Sequence, residues 1–209
     1  MTSKVKICGL TREVDVRTAD LAGAAFLGFI LAPSSRRITA AYAAEISRDV
    51  TAARVAVTVN ATEAELDTIM AELAPDYIQF HGDESVEAIA SVATHYGVKT
   101  IRACPIATRS DLINAERHAA ADILLYDAKP PPGETQRGGH GTTIDWSLIA
   151  KAPRPKTFML AGGLTPDNVT DAIRMTRAPI VDTSSGVECA PGIKDAALIH
   201  AFIMAAQQN

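Results

Sequence analysis

Thr157-Phe158-Met159-Leu160-Ala161-Gly162-Gly163-Leu164-Thr165-Pro166-Asp167 and Ile180-Val181-Asp182-Thr183-Ser184-Ser185-Gly186 decide the fold. A short aliphatic run ends in two glycines. Thr165 then supplies a helix cap, with Pro166 at the first helical position, and an amphipathic run follows over Pro166–Met175. A second aliphatic run ends in another glycine-containing turn. Runs this short and bulky have the character of buried parallel strands, and a helix between two of them makes a βα unit.

The same rhythm extends back to the N-terminus. Strands are expected at Lys4–Ile7, Ala25–Leu31, Arg54–Val59, Tyr77–Phe80, Lys99–Ala103, Ile123–Tyr126, Thr157–Ala161 and Ile180–Thr183. Helices are expected at Glu13–Leu21, Ala40–Asp49, Glu63–Leu73, Ser85–His95, Arg109–Ala119, Trp146–Ala150, Pro166–Met175 and Asp195–Ala206. Thr62 caps the third of these and Gly97 closes the fourth. Strand ends recur every roughly 21–35 residues, which fits a (β/α)8 TIM barrel near the lower size limit of that fold. The alternative, a doubly wound open sheet, usually has five or six strands, and no Gly-x-Gly-x-x-Gly follows the first strand. A single α/β barrel domain over residues 1–209 is the expectation.

Composition narrows the function classes. Of the 209 residues, 47% are hydrophobic and 21% charged, which excludes a disordered chain. Aromatics make up only 5%, which argues against a base-stacking platform, and the net charge of −4 makes a poor general binder of nucleic acid or anionic membrane. No apolar run reaches the roughly 18 residues of a membrane span, and no apolar segment of a secretory signal follows Met1. Cys8, Cys104 and Cys189 are an odd, widely spaced set without zinc-ligand spacing. Reduced cysteines and a cytoplasmic location are expected.

Barrel enzymes carry their sites on the loops after the strands. Those ends present Cys8-Gly9-Leu10-Thr11, Pro33-Ser34-Ser35-Arg36-Arg37, Asn60, His81-Gly82-Asp83, Cys104, Asp127, Gly162-Gly163 and Ser184-Ser185-Gly186. Glycine turns after the seventh and eighth strands are the usual barrel phosphate cradle, with Ser184 and Ser185 as added donors. The plainer reading is tight turns alone. Alternation along the strand sets Cys8 with Lys6, and Asp127 with Leu125 and Ile123, so both face the barrel mouth as a thiol and carboxyl pair for base and acid work. A basic thiol needs its pKa lowered, and Lys6 could favour a thiolate; an acidic Asp127 needs the reverse shift. The plainer readings are a small core residue for Cys8 and a strand-end cap for Asp127. Arg36 or Arg37 suits a bidentate grip on a carboxylate, or is a solvated surface charge. His81 is an acid–base candidate or a structural loop histidine. Cys104 and Cys189 read as structural, and Trp146 as packing.

These motifs, in this order, resemble the phosphoribosylanthranilate isomerase family of tryptophan biosynthesis. Lys6-Ile7-Cys8-Gly9-Leu10-Thr11 is similar to its N-terminal signature, and Gln79-Phe80-His81-Gly82-Asp83-Glu84 and Asp127-Ala128-Lys129 to its fourth and sixth strand ends. Leu160–Val169, Val181–Glu188 and Ala190-Pro191-Gly192-Ile193-Lys194-Asp195 extend the likeness over nearly the whole chain. The resemblance implies an Amadori rearrangement without metal or organic cofactor. It puts the base on Cys8, the acid on Asp127 and the anthranilate carboxylate ligand on Arg36. Phosphate falls on Gly162, Gly163, Ser184, Ser185 and Gly186, with His81 and Asp182 as further substrate contacts. It implies a small phosphosugar-anthranilate substrate, no nucleic-acid or membrane partner, and a monomer or homodimer.

The chain departs from the family at His140 and Thr142, within the long loop from Ala128 to Asp145, whose length and glycines suggest a lid. Other readings are an indole-glycerol-phosphate synthase, which usually works with Lys and Glu; a ribulose-phosphate epimerase, which needs metal ligands; or a barrel that only binds a sugar phosphate.

Overall fold

The computed structural model describes residues 2–129, 143–152, 155 and 157–208. His140, Thr142 and the suggested lid tip lie outside the described residues. The strands are β1 (Lys4–Cys8), β2 (Phe26–Ile30), β3 (Ala53–Thr58), β4 (Tyr77–Phe80), β5 (Lys99–Ile106), β6 (Ile123–Ala128), β7 (Phe158–Leu160) and β8 (Ile180–Thr183). They pair in chain order, all parallel, and β1 pairs with β8 to close an eight-stranded barrel. The helices are α1 (Glu13–Leu21), α2 (Ala40–Ile46), α3 (Glu63–Glu72), α4 (Val86–Tyr96), α5 (Arg109–Ala115), α6 (Trp146–Ala150), α7 (Val169–Thr176) and α8 (Ala196–Gln207). A small hairpin, β9 (Glu188–Ala190) and β10 (Ile193–Lys194), interrupts the last connection. No helix among the described residues is long and apolar enough to cross a membrane.

Alternating strand residues divide the core in two. Val55, Val57, Ile101, Ile123, Leu125 and Met159 fill the barrel interior. The opposite strand faces, including Ile7, Leu27, Leu124 and Val181, pack on helix residues such as Val16, Ile149 and Phe202. Strand ends are thus held from both sides, and the mouth residues stand on a rigid base.

Caps fix the helix starts. Thr62 and Glu65 form a reciprocal capping box on α3, and Gly97 ends α4 with φ 63°, a left-handed conformation that costs glycine little. Several boundaries differ from the sequence expectation, two of them near the barrel mouth. Pro166 is not the first residue of α7: Asn168 Oδ1 accepts from the Thr165 N–H at 2.8 Å, a turn forms, and the helix begins at Val169. Strand β5 does not end at Ala103 but pairs onward to Ile106 opposite Ala128. Pro105 brings no N–H and so imitates a strand end in sequence. Cys104 consequently lies within the strand, in the helix-facing core, where burial pushes its thiol up to about 11.

Candidate active site

Lys6 and Cys8 of β1 both face the barrel interior. Lys6 is wholly buried and stands in register with Asp182 of β8. Its Nζ donates to Asp182 Oδ1 at 2.9 Å. Gly28 on the neighbouring strand makes room for this arrangement. A Cβ there would come within 2.8 Å of Cys8 Sγ and 3.2 Å of Lys6 Cε. Two buried charges need such a pairing, because desolvation penalises each one alone.

The electrostatics follow from that burial. Burial works against the charge on Lys6, but Asp182 and Cys8 outweigh it, and the ammonium is held above the ordinary lysine range. Burial pushes the Cys8 thiol up; Lys6 and Lys194 pull it down, by less. The lowered thiol pKa expected for a base is therefore not present: Lys6 favours the thiolate, but burial wins. Burial also raises Asp182, against the pull of Lys6.

Across the mouth, Asp127 lies near the end of β6 and is nearly buried. Its Oδ1 accepts from the Ala128 N–H at 2.8 Å, so it does cap a strand-end amide. Its other oxygen stays available, 3.4 Å from His81 Nε2. Gln79 Nε2 lies 3.1 Å from His81 Nδ1. An amide NH2 only donates, so this contact makes Nδ1 the acceptor and leaves the ring hydrogen on Nε2, toward Asp127. Asp182 feels the charges of both Asp127 and His81, which places the Lys6–Asp182 pair and the Asp127–His81 pair in one electrostatic neighbourhood.

Arg36 is neither solvated nor free. It is buried, and its Nε and Nη2 donate to the two carboxylate oxygens of Glu188 at 2.8 and 2.7 Å. The fork expected to grip a carboxylate is real, with Glu188 in its grasp. Arg37, by contrast, is exposed, and its side chain donates to the Leu31 carbonyl at 3.2 Å.

The glycine turns have tight surroundings. Gly162 and Gly163 have φ of 85° and 62°, and a Cβ on Gly162 would sit 2.8 Å from the Ala128 N. Thr183 Oγ1 donates to the Leu164 carbonyl at 2.7 Å, and a Cβ on Gly186 would collide with that same carbonyl oxygen. The seventh and eighth loops are thus locked together, and Ser184, Ser185 and Gly186 continue directly from β8. Turns of this kind leave backbone open to close approach, by neighbouring chain or by an anion.

Chain similarity agrees with this geometry. The family model for N-(5'-phosphoribosyl)anthranilate isomerase matches residues 5–205. The chain belongs to that family. An N-(5'-phosphoribosyl)anthranilate isomerase from a Ruegeria species is 45% identical over 209 residues, covering 98% of this chain and 97% of the relative. The crystal structure of phosphoribosyl anthranilate isomerase from Thermotoga maritima superposes with a TM-score of 0.90 at 34% identity, covering 99% of this chain and 100% of that one. Another structure of such an isomerase, in complex with reduced 1-(o-carboxyphenylamino)-1-deoxyribulose 5-phosphate, gives a TM-score of 0.85 at 31% identity, with the same coverage.

Sequence reasoning did not single out two charged residues next to Arg36. Glu188 and Lys194 are opposed in the β9–β10 hairpin, and Lys194 Nζ donates to Glu188 Oε1 at 2.7 Å. Pro191-Gly192, a common turn signal, could have suggested that hairpin.

Proposed function

We propose that this chain isomerises N-(5'-phosphoribosyl)anthranilate to 1-(2-carboxyphenylamino)-1-deoxyribulose 5-phosphate, a step of tryptophan biosynthesis, with Asp127 as acid and Cys8 as base. Family membership supports the substrate. The observation that carries the mechanism is the position of Cys8 and Asp127: both occupy inward-facing positions at the ends of their strands, on the mouth of one barrel.

The chemistry divides between them. Asp127 protonates the ring oxygen of the aminofuranose, and the ring opens to a Schiff base. That imine acidifies the C2 hydrogen, and the Cys8 thiolate removes it. The electron pair moves toward the anthranilate nitrogen, giving an enolamine. Protonation at C1, with loss of the C2 hydroxyl proton, then completes the ketone. The substrate nitrogen is the electron sink. A thiol held above its ordinary pKa is a scarce thiolate but a strong base when formed, and Lys6 limits the scarcity. Arg36 and the turns at Gly162, Gly163, Ser184, Ser185 and Gly186 hold the two anionic ends, which fixes the sugar between acid and base. Asp182 and His81 line the same space and suit sugar hydroxyls.

We also infer a single barrel domain acting in the cytoplasm. The three free cysteines, Cys189 exposed among them, support a reducing compartment. Freshly prepared phosphoribosylanthranilate is fluorescent, and its decay tests the activity. The protein accelerates that decay; decay at the background rate despite tight binding would leave a binding protein only.

A further inference from the structure

The Lys194 side chain is completely buried, yet the reaction above does not use it. Its ammonium spends all three hydrogens. One goes to Glu188 Oε1 at 2.7 Å, one to the Ser184 carbonyl at 3.0 Å, and one to Ser184 Oγ at 3.3 Å. The backbone around it is equally constrained. Its N–H donates to Asp15 Oδ2 at 3.2 Å, and its carbonyl accepts from Arg12 Nη2 at 3.0 Å. Arg12 and Asp15 are themselves a bonded pair on the first βα unit.

Glu188 and Ser184 belong to opposite ends of the substrate. Glu188 Oε1 is shared between Lys194 and Arg36 Nε, and the Gly192 N–H adds a third bond at 3.2 Å. Ser184 opens the turn that faces phosphate. We propose that Lys194 is a positioning residue coupling the two anion-binding ends: through Glu188 it aims and charges Arg36, and through Ser184 it sets the phosphate turn.

Charge counting shows why the lysine is needed. Arg36 and Glu188 alone would be neutral, and Arg36 would have little pull on an incoming carboxylate. Lys194 brings the cluster to a net charge of +1. Arg36 Nη1 makes no hydrogen bond among the described residues and remains as the donor edge for that carboxylate. Burial lowers the pKa of Lys194, and Glu188 works against that loss. Glu188 in turn is held below the ordinary carboxylate range: burial raises it, but Arg36 and Lys194 outweigh burial.

This role rests on the functional reading above, and binding measurements separate the two. Anthranilate binding is followed by its fluorescence and inorganic phosphate binding by calorimetry, with the wild type, Lys194→Met and Lys194→Arg. Lys194→Met weakens both ligands by about tenfold, the scale of one charge-assisted hydrogen bond. It lowers kcat/KM by about a hundredfold, the cost of misplacing bound groups by about 1 Å. Lys194→Arg restores much of the anthranilate affinity because it keeps the charge. If Lys194→Met fails to fold, Lys194→Gln is read in the same way. Unchanged affinity for both ligands in the folded variant would overturn the proposal, as would loss at one end only. A wild type that binds both fragments but does not turn over phosphoribosylanthranilate would sink the functional reading and leave the coupling role standing.

Discussion

The two sides of the barrel mouth are built differently. On the β1–β8 side, the buried charged groups sit on charged partners. Lys6 is bonded to Asp182 at 2.9 Å, and Lys194 and Arg36 both meet Glu188 at 2.7–2.8 Å. On the β4–β6 side the inward-facing side chains meet one another at longer distances. His81 lies 3.4 Å from Asp127, and Gln79 Oε1 is buried with no hydrogen-bond partner. The difference fits the tasks proposed for the two sides. A thiolate inside a barrel needs fixed cations beside it. An acid that must give up its proton is better served by a neighbour that does not hold it tightly.

Removing the reacting groups should have the largest effect. Cys8→Ser and Asp127→Asn each lower kcat by about 10²–10⁴-fold, the usual contribution of a positioned acid or base, with little change in thermal stability. Steady-state kinetics and a melting curve check both. Next comes the locked side itself. Lys6→Met leaves Asp182 buried and unpaired, and denaturant unfolding should show a loss of about 3–5 kcal/mol.

The pH profile sharpens the comparison further. Cys8 sits above the ordinary thiol value of 9.0, so its alkylation rate, which follows the thiolate fraction, keeps rising with pH through the alkaline range. Asp182→Asn removes an anion that pushes the thiol up and leaves Lys6 unopposed, so this limb moves to lower pH. A limb that stays in place would show that Cys8 is not the titrating group. The smallest effect belongs to the β4–β6 side. His81→Asn should change stability by about 1 kcal/mol or less, since its contacts with Asp127 and Gln79 are weak and partly exposed. A loss as large as that of Lys6→Met would erase the contrast between the two sides.

Much of this arrangement is legible in the sequence. The barrel follows from eight aliphatic runs at near-constant spacing, and the inward aim of Cys8 and Asp127 follows from strand alternation. The partners of Arg36 were not legible. Glu188 lies 152 positions away, and nothing local in either segment announces the pair. Lys6 facing inward was readable, but its bond to Asp182 depends on the register that closes β1 on β8. The pKa of Cys8 was hidden for a related reason. A nearby lysine suggests a lowered thiol, while the opposing cost of full burial appears only once the interior is packed.

Substrate deuterated at C2 gives the most direct test that base and acid are separate residues on opposite sides of the mouth. In Cys8→Ser the proton abstraction becomes slower than every other step, so the isotope effect on kcat rises above that of the wild type. In Asp127→Asn ring opening becomes limiting, and the isotope effect falls toward one. Equal isotope effects in the two variants, or the reverse order, would contradict the assignment of Cys8 as base and Asp127 as acid.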